Sequence, residues 1–136
     1  MSDRKRLMII DDDRAFVAAM RALLEDAGYD LDVAYNPRDG LVALRARRHD
    51  LLLLDLLMAR GAEGVTVART VREDPALKHL PILLVTGIQE QLAPIFPGRA
   101  VRADDVPHDG LLEKPVTPEA LLERVAALVQ TQEAAP

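Results

Sequence analysis

A chain of 136 residues has room for one globular domain, and 49% hydrophobic against 29% charged residues let it bury a core without covalent staples. Twenty-two acidic against 17 basic residues leave a formal net charge of −5, which offers no footprint for a phosphate backbone and argues against direct nucleic-acid binding. The absence of cysteine excludes disulfides, thiolate metal sites and a cysteine nucleophile, and it suits a reducing, cytoplasmic setting.

The first element is the apolar run Leu7–Ile10, read as a strand and ended by Asp11, Asp12 and Asp13. Its basic leader has the charge of a secretory signal, but a run this short cannot be one, so secretion is not expected. Phe16, Val17, Met20, Leu23 and Leu24 recur at helical spacing, with Asp13 placed to cap the helix and Gly28 to stop it. Leu31–Ala34 reads as a second strand. Pro37 opens a second helix, from about Arg38 to Arg48, with Leu41, Val42, Leu44 and Ala46 expected on its inner side. Leu51–Leu54 is a continuous leucine run, as in a strand covered on both faces, and it ends at Asp55.

A third helix, about Gly64 to Glu73, carries Val65, Ala68 and Val71 and is closed by Asp74-Pro75. Ile82–Val85 is the second continuous apolar run and ends at Thr86. These two runs are expected to be central strands, and neither approaches the roughly 18 apolar residues of a membrane span. From Gly87 to Asp109 the prolines at 94, 97 and 107 interrupt the rhythm, so the helix due there is expected to be shortened or replaced by loop. Ile88, Leu92, Ile95, Phe96 and Val101 within it are expected to tuck back over the sheet. A short fifth strand, Leu111–Leu112, leads to Glu113-Lys114-Pro115. Thr117 then caps a final helix, with Pro118 at its first position and Leu121, Leu122, Val125, Leu128 and Val129 following. The whole chain, 1–136, reads as a single domain with a core of about 5–131, a flexible tail at 132–136 and no output domain. His49, His79 and His108 lie too far apart for a metal site and are expected at the surface, as is the basic run of Arg45, Arg47 and Arg48.

Strands alternating with helices indicate an α/β domain with a parallel sheet, and ligands of such sheets bind beyond the carboxyl ends of the strands. The residues at those ends are Asp11 and Asp12, Asp55, Thr86 and Lys114. Like charges about 4 Å apart repel by roughly 4 kcal/mol at an effective dielectric near 20, so three carboxylates there call for a counter-cation. Magnesium fits, since it takes oxygen ligands and shares them with a phosphate. With Mg²⁺ and the Lys114 ammonium the three charges are neutralised and an anionic phosphoryl donor can approach. The implied chemistry is phosphoryl transfer, with a carboxylate able to act as acceptor.

These residues resemble the receiver domains of bacterial two-component response regulators, and the resemblance covers nearly the whole chain. Ile9-Ile10-Asp11-Asp12-Asp13 is similar to the family's first-strand acidic pair, and Leu53-Leu54-Asp55-Leu56-Leu57-Met58 to its phosphoacceptor segment. Leu84-Val85-Thr86-Gly87 is similar to its switch hydroxyl, and Glu113-Lys114-Pro115 to its lysine and proline. The resemblance implies a flavodoxin-like, doubly wound, five-stranded parallel sheet in the order 2-1-3-4-5. It implies that Asp55 accepts a phosphoryl group, that Asp12, Asp55 and the Leu57 carbonyl bind Mg²⁺, and that Asp11 contributes through water. Thr86 would bond a phosphoryl oxygen, Lys114 would pair with Asp55 or its phosphate, and the bond before Pro115 would be cis. The implied partners are a sensor histidine kinase or histidine phosphotransfer protein and a downstream protein that the sequence does not identify, with no membrane involved and room for a homodimer.

The chain departs from the family pattern at Ala59, in place of a proline, and in a segment to Gly64 that is one residue longer. It also departs in the long interval between Thr86 and Lys114, and at Leu111, in place of an aromatic. A rearranged entrance to the third helix and an altered relay surface follow from these differences. Two competing readings are a haloacid-dehalogenase-type phosphatase, with Asp11 as nucleophile and Asp13 as acid/base, and an unphosphorylated pseudo-receiver that acts as a docking module. Asp13 alone reads most simply as a helix cap.

Overall fold

The computed structural model describes residues 4–59, 61–87 and 106–134. Five parallel strands, β1 (Arg6–Ile10), β2 (Asp30–Ala34), β3 (Leu51–Leu54), β4 (Ile82–Thr86) and β5 (Gly110–Glu113), form one sheet in the order β2-β1-β3-β4-β5. This is the expected flavodoxin-like topology. The two continuous apolar runs are interior strands, fully buried along their length, because helices cover both faces.

Successive strand residues point to opposite faces, so each run supplies two cores. Met8, Ile10, Leu52, Leu54, Ile82 and Leu84 pack on the side of α2 (Pro37–Ala46) and α3 (Glu63–Glu73). Leu7, Ile9, Leu51, Leu53, Leu83 and Val85 pack against α1 (Arg14–Asp26) and α4 (Pro118–Ala134). Each leucine so buried contributes on the order of 2 kcal/mol.

The caps follow the local chemistry. The Asp13 carboxylate accepts the Phe16 amide at 3.0 Å, Asn36 accepts that of Asp39 at 2.8 Å, and the Thr117 hydroxyl accepts that of Ala120 at 3.2 Å. Gly28 ends α1 at φ 102°, a conformation that side chains disfavour. The inner face of α2 differs from expectation, since Val42 is 62% exposed and Ala46 is also exposed, while Gly40 and Leu44 are buried. Gly40 lies so close to Ile10 that a Cβ there would collide with its side chain. This contact rotates the helix so that Gly40, Leu41 and Leu44 form its inner stripe.

Register aligns the strand ends. Ile10 pairs with both Ala34 and Leu54, Leu54 with Leu84, and Thr86 with Glu113. The residues that follow these pairs therefore share the carboxyl rim. At the amino rim, Asp32 meets His49 at 2.7 Å, Arg6 at 3.4 Å and Arg47 at 3.7 Å. Asp30 meets Arg4 at 3.0 Å, and Asp50 accepts the Arg6 amide at 2.9 Å. His49 is 6% exposed, which corrects the surface placement expected for it. Its ring sits between the Arg47 carbonyl and Asp32, partners that sequence spacing does not reveal. His79 is exposed as expected.

Asp109 returns the chain to the sheet. Its carboxylate accepts the Ile82 amide at 2.8 Å and pairs with Arg72, whose guanidinium also donates to the Leu80 carbonyl at 2.6 Å. The shortened helix and the tucked apolar residues expected between positions 88 and 105 lie outside the described residues.

Candidate functional site

The β1–α1 turn carries Asp11 and Asp12, the β3 end carries Asp55, and the β5 end carries Lys114. Asp11 and Asp55 are 2% and 6% exposed, and Asp12 is the most exposed of the three acids. One oxygen from each carboxylate lies within 4.8 Å of the others. The Lys114 ammonium donates to Asp11 at 2.9 Å and to Asp55 at 3.4 Å. The backbone holds the acids in place, with the Asp13 amide donating to Asp11 at 2.9 Å and the Leu57 amide to Asp55 at 3.2 Å. The Lys114–Pro115 bond is cis, as expected.

Thr86, 1% exposed, closes the β4 side, and its backbone carbonyl accepts the Lys114 amide at 2.8 Å. Its hydroxyl acts on the Asp55 carboxylate, yet no partner among the described residues meets hydrogen-bond geometry at Oγ1. A buried hydroxyl without a well-formed hydrogen bond is uncommon.

The charge state reflects the crowding. Burial raises the Asp55 pKa above the ordinary carboxylate value and the charge of Asp11 adds to the rise. Lys114, the Thr86 hydroxyl and the Leu57 amide lower it without cancelling the effect. Burial pulls the Lys114 pKa down, but the hydrogen bond to Asp11 and the charges of both aspartates outweigh it, and the net shift is upward. The Asp55 shift reports burial first and the Asp11 charge second, whereas the Lys114 shift reports its two carboxylate neighbours.

Sequence reasoning missed a ring contact, a close backbone approach and a cleft. The Lys114 ammonium lies 4.1 Å from the centroid of the Phe16 ring, a residue that periodicity assigned simply to the apolar face of α1. The entrance to α3, expected to be rearranged, is remodelled by a tight turn in which Met58 and Gly61 exchange backbone hydrogen bonds at 2.8 and 2.9 Å, with Gly61 at φ 112°. Gly64 then packs so near the end of β3 that a Cβ would collide with the Asp55 carbonyl. The extra residue before Gly64 was visible in the sequence, but the contact needed coordinates. Beside Asp12 opens a cleft of about 480 Å³ lined by Tyr35, Arg38, Met58 and Glu63.

A parallel sheet in this order, with an acidic cluster, a hydroxyl and an ammonium on its carboxyl rim, defines a flavodoxin-like class of α/β domain with an ionic site at its strand ends. Residues 7–126 match the family model of the response regulator receiver domain, and the chain belongs to that family. It is therefore a signalling domain of two-component systems.

The chain is 32% identical over 88% of its length to the transcriptional regulatory protein DltR of Streptococcus agalactiae, covering 50% of that protein. It thus spans about half the length of the curated relatives it matches. It superposes on the chemotaxis response regulator CheY4 of Vibrio cholerae with a TM-score of 0.75 at 25% identity, covering 92% of this chain and 98% of that one. The fold is shared with the signal receiver domain of a histidine kinase from Syntrophus aciditrophicus, with a TM-score of 0.82 at 23% identity over 97% of this chain and 95% of that one.

The phosphatase reading falls with this assignment. Asp13, its acid/base, is instead exposed and spent on capping α1. Among the described residues no helix is long and apolar enough to cross a membrane.

Proposed function

We propose that this chain is a single receiver domain whose Asp55 accepts a phosphoryl group from the phosphohistidine of a sensor histidine kinase or a histidine phosphotransfer protein. It acts in the cytoplasm as a Mg²⁺-dependent switch. The reading rests above all on one observation, the convergence of Asp11, Asp12 and Asp55 on a common point with a single ammonium beside them.

The donor set suits the ion. Three carboxylates are hard oxygen ligands, and their 4.8 Å span is close to the roughly 4 Å between ligands on opposite sides of one magnesium. Asp12 and Asp55 would hold it directly together with the Leu57 carbonyl, and Asp11 through water. When bound, the ion neutralises charge on the carboxylates and on the incoming phosphoryl oxygens.

The protein's own residues do the rest. A carboxylate oxygen of Asp55 attacks phosphorus in line as the P–N bond to the donor imidazole breaks. The imidazole leaves with the electron pair and takes a proton from solvent. Lys114 moves its hydrogen bonds from the carboxylates to a phosphoryl oxygen, and the Thr86 hydroxyl donates to another. That new bond draws the Thr86 hydroxyl to the phosphoryl group, so phosphorylation favours a shifted Thr86 and a changed surface around it.

The test is incubation with Mg²⁺ and a phosphorylated histidine phosphotransfer protein, followed by intact mass measurement. One hydroxylamine-sensitive phosphoryl group per chain is expected, absent in Asp55→Asn and absent when EDTA replaces Mg²⁺ from the start. A chain that stays unmodified and fails to bind Mg²⁺ at millimolar concentration would instead be a constitutive docking module.

A further inference from the structure

The ammonium of Lys114 has three N–H donors, and among the described residues three groups are seen against it. Asp11 accepts at 2.9 Å, Asp55 lies at 3.4 Å, and the Phe16 ring centroid lies at 4.1 Å. The first two are carboxylates of the acid cluster, whose oxygens turn to a bound cation. The third is an aromatic face, which attracts an ammonium but has no affinity for a hydrated magnesium ion comparable to that of carboxylates.

Phe16 is itself held in place. The Asp11 carboxylate accepts the Asp13 amide at 2.9 Å, and the Asp13 carboxylate accepts the Phe16 amide at 3.0 Å. The Phe16 ring is half-buried against the core beneath α1 and meets Lys114, which returns to Asp11. The contacts close into a ring that runs Asp11, Asp13, Phe16, Lys114 and back to Asp11.

We propose that Phe16 is a positioning residue for Lys114: its ring face keeps the ammonium over the acid cluster when Asp11 and Asp55 are engaged by the cation, so that the lysine is already within reach of the phosphoryl group. The proposal rests on the phosphoacceptor reading. It assigns Phe16 no direct contact with phosphate or metal.

Phe16→Leu keeps an apolar side chain on α1 and removes the aromatic face, whereas Phe16→Tyr retains both. Mg²⁺ affinity, followed by titration, should agree within about twofold among the three proteins, because the ring touches no metal ligand oxygen. Beryllofluoride affinity at saturating Mg²⁺ should fall about threefold to tenfold in Phe16→Leu and recover in Phe16→Tyr, on the scale of a partly shielded cation–π contact. Combining Phe16→Leu with Lys114→Ala should add nothing to the loss caused by Lys114→Ala alone. In the metal-free chain, the Lys114 side-chain protons should show an upfield ring-current shift that Phe16→Leu abolishes.

Unchanged beryllofluoride affinity in Phe16→Leu would overturn the proposal, as would a loss that adds fully to that of Lys114→Ala, which would make Phe16 a packing residue. A wild-type chain that ignores beryllofluoride would defeat the phosphoacceptor reading instead. In that case the ring-current shift still decides whether Phe16 holds Lys114.

Discussion

The two rims of the sheet use the same residue types in opposite proportion. At the amino rim, Asp30, Asp32 and Asp50 meet Arg4, Arg6, Arg47, Arg48 and His49, so every carboxylate has at least one cationic partner. At the carboxyl rim, Asp11 and Asp55 share Lys114, and among the described residues no ion pair is seen for Asp12. A balanced set of charges holds strand ends in place, and exposed pairs such as Arg48–Asp50 contribute only about 0.5 kcal/mol each. An unbalanced set costs stability and persists where it can bind something. The contrast lies in stoichiometry rather than composition.

Three experiments can break or sharpen this contrast. The largest effect is expected at the balanced rim, where His49→Ala removes a buried ring and leaves both the Arg47 carbonyl and Asp32 short of a partner. Urea unfolding should show a loss of about 2 to 3 kcal/mol, whereas His79→Ala at the surface should lie within about 0.5 kcal/mol of wild type. An equally small effect at both histidines would mean that the amino rim is not a structural network.

Next in size, Asp12→Asn should weaken Mg²⁺ binding about tenfold or more, equivalent to roughly 1.4 kcal/mol, and Asp11→Asn should weaken it less. Calorimetric titration separates the two, and equal losses would reassign the primary ligand.

The smallest effect is a gain. Without metal, Asp55→Asn removes a carboxylate whose charged form is disfavoured by burial and by Asp11, and it should stabilise the fold by on the order of 1 kcal/mol. The sign follows from linkage. The native Asp55 binds its proton at higher pH than the unfolded chain does, so its cost is present at neutral pH and is relieved as pH falls through its raised pKa. The advantage of the asparagine variant should therefore shrink on acidification and vanish below the ordinary carboxylate pKa of about 4. A gap that widens at low pH would show that Asp55 is stabilised, not strained, by its surroundings.

The carboxyl rim was legible in the sequence because each apolar run ends on a polar residue, and a parallel sheet brings all such ends together. The caps at Asp13 and Thr117 were legible for a similar reason, since both act within their own turn. What escaped detection depends on contacts between distant segments. His49 looked like a surface residue because its partner, Asp32, belongs to another strand. Val42 looked like an inner residue because the phase of α2 is set by the approach of Gly40 to Ile10. Phe16 fits helical periodicity equally well whether its ring meets only apolar neighbours or also an ammonium from β5.

The closed circuit through Asp11, Asp13, Phe16 and Lys114 couples the first turn of α1 to the far edge of the sheet. Each of its four members touches the next, so a displacement of one alters the contact it makes with its neighbours. If Lys114 swings toward a newly arrived anion, its contact with Phe16 in the first turn of α1 changes, some hundred positions away in the chain. A chemical event at one aspartate would then be felt on the opposite face from α2 and α3, by a route that does not run through Thr86.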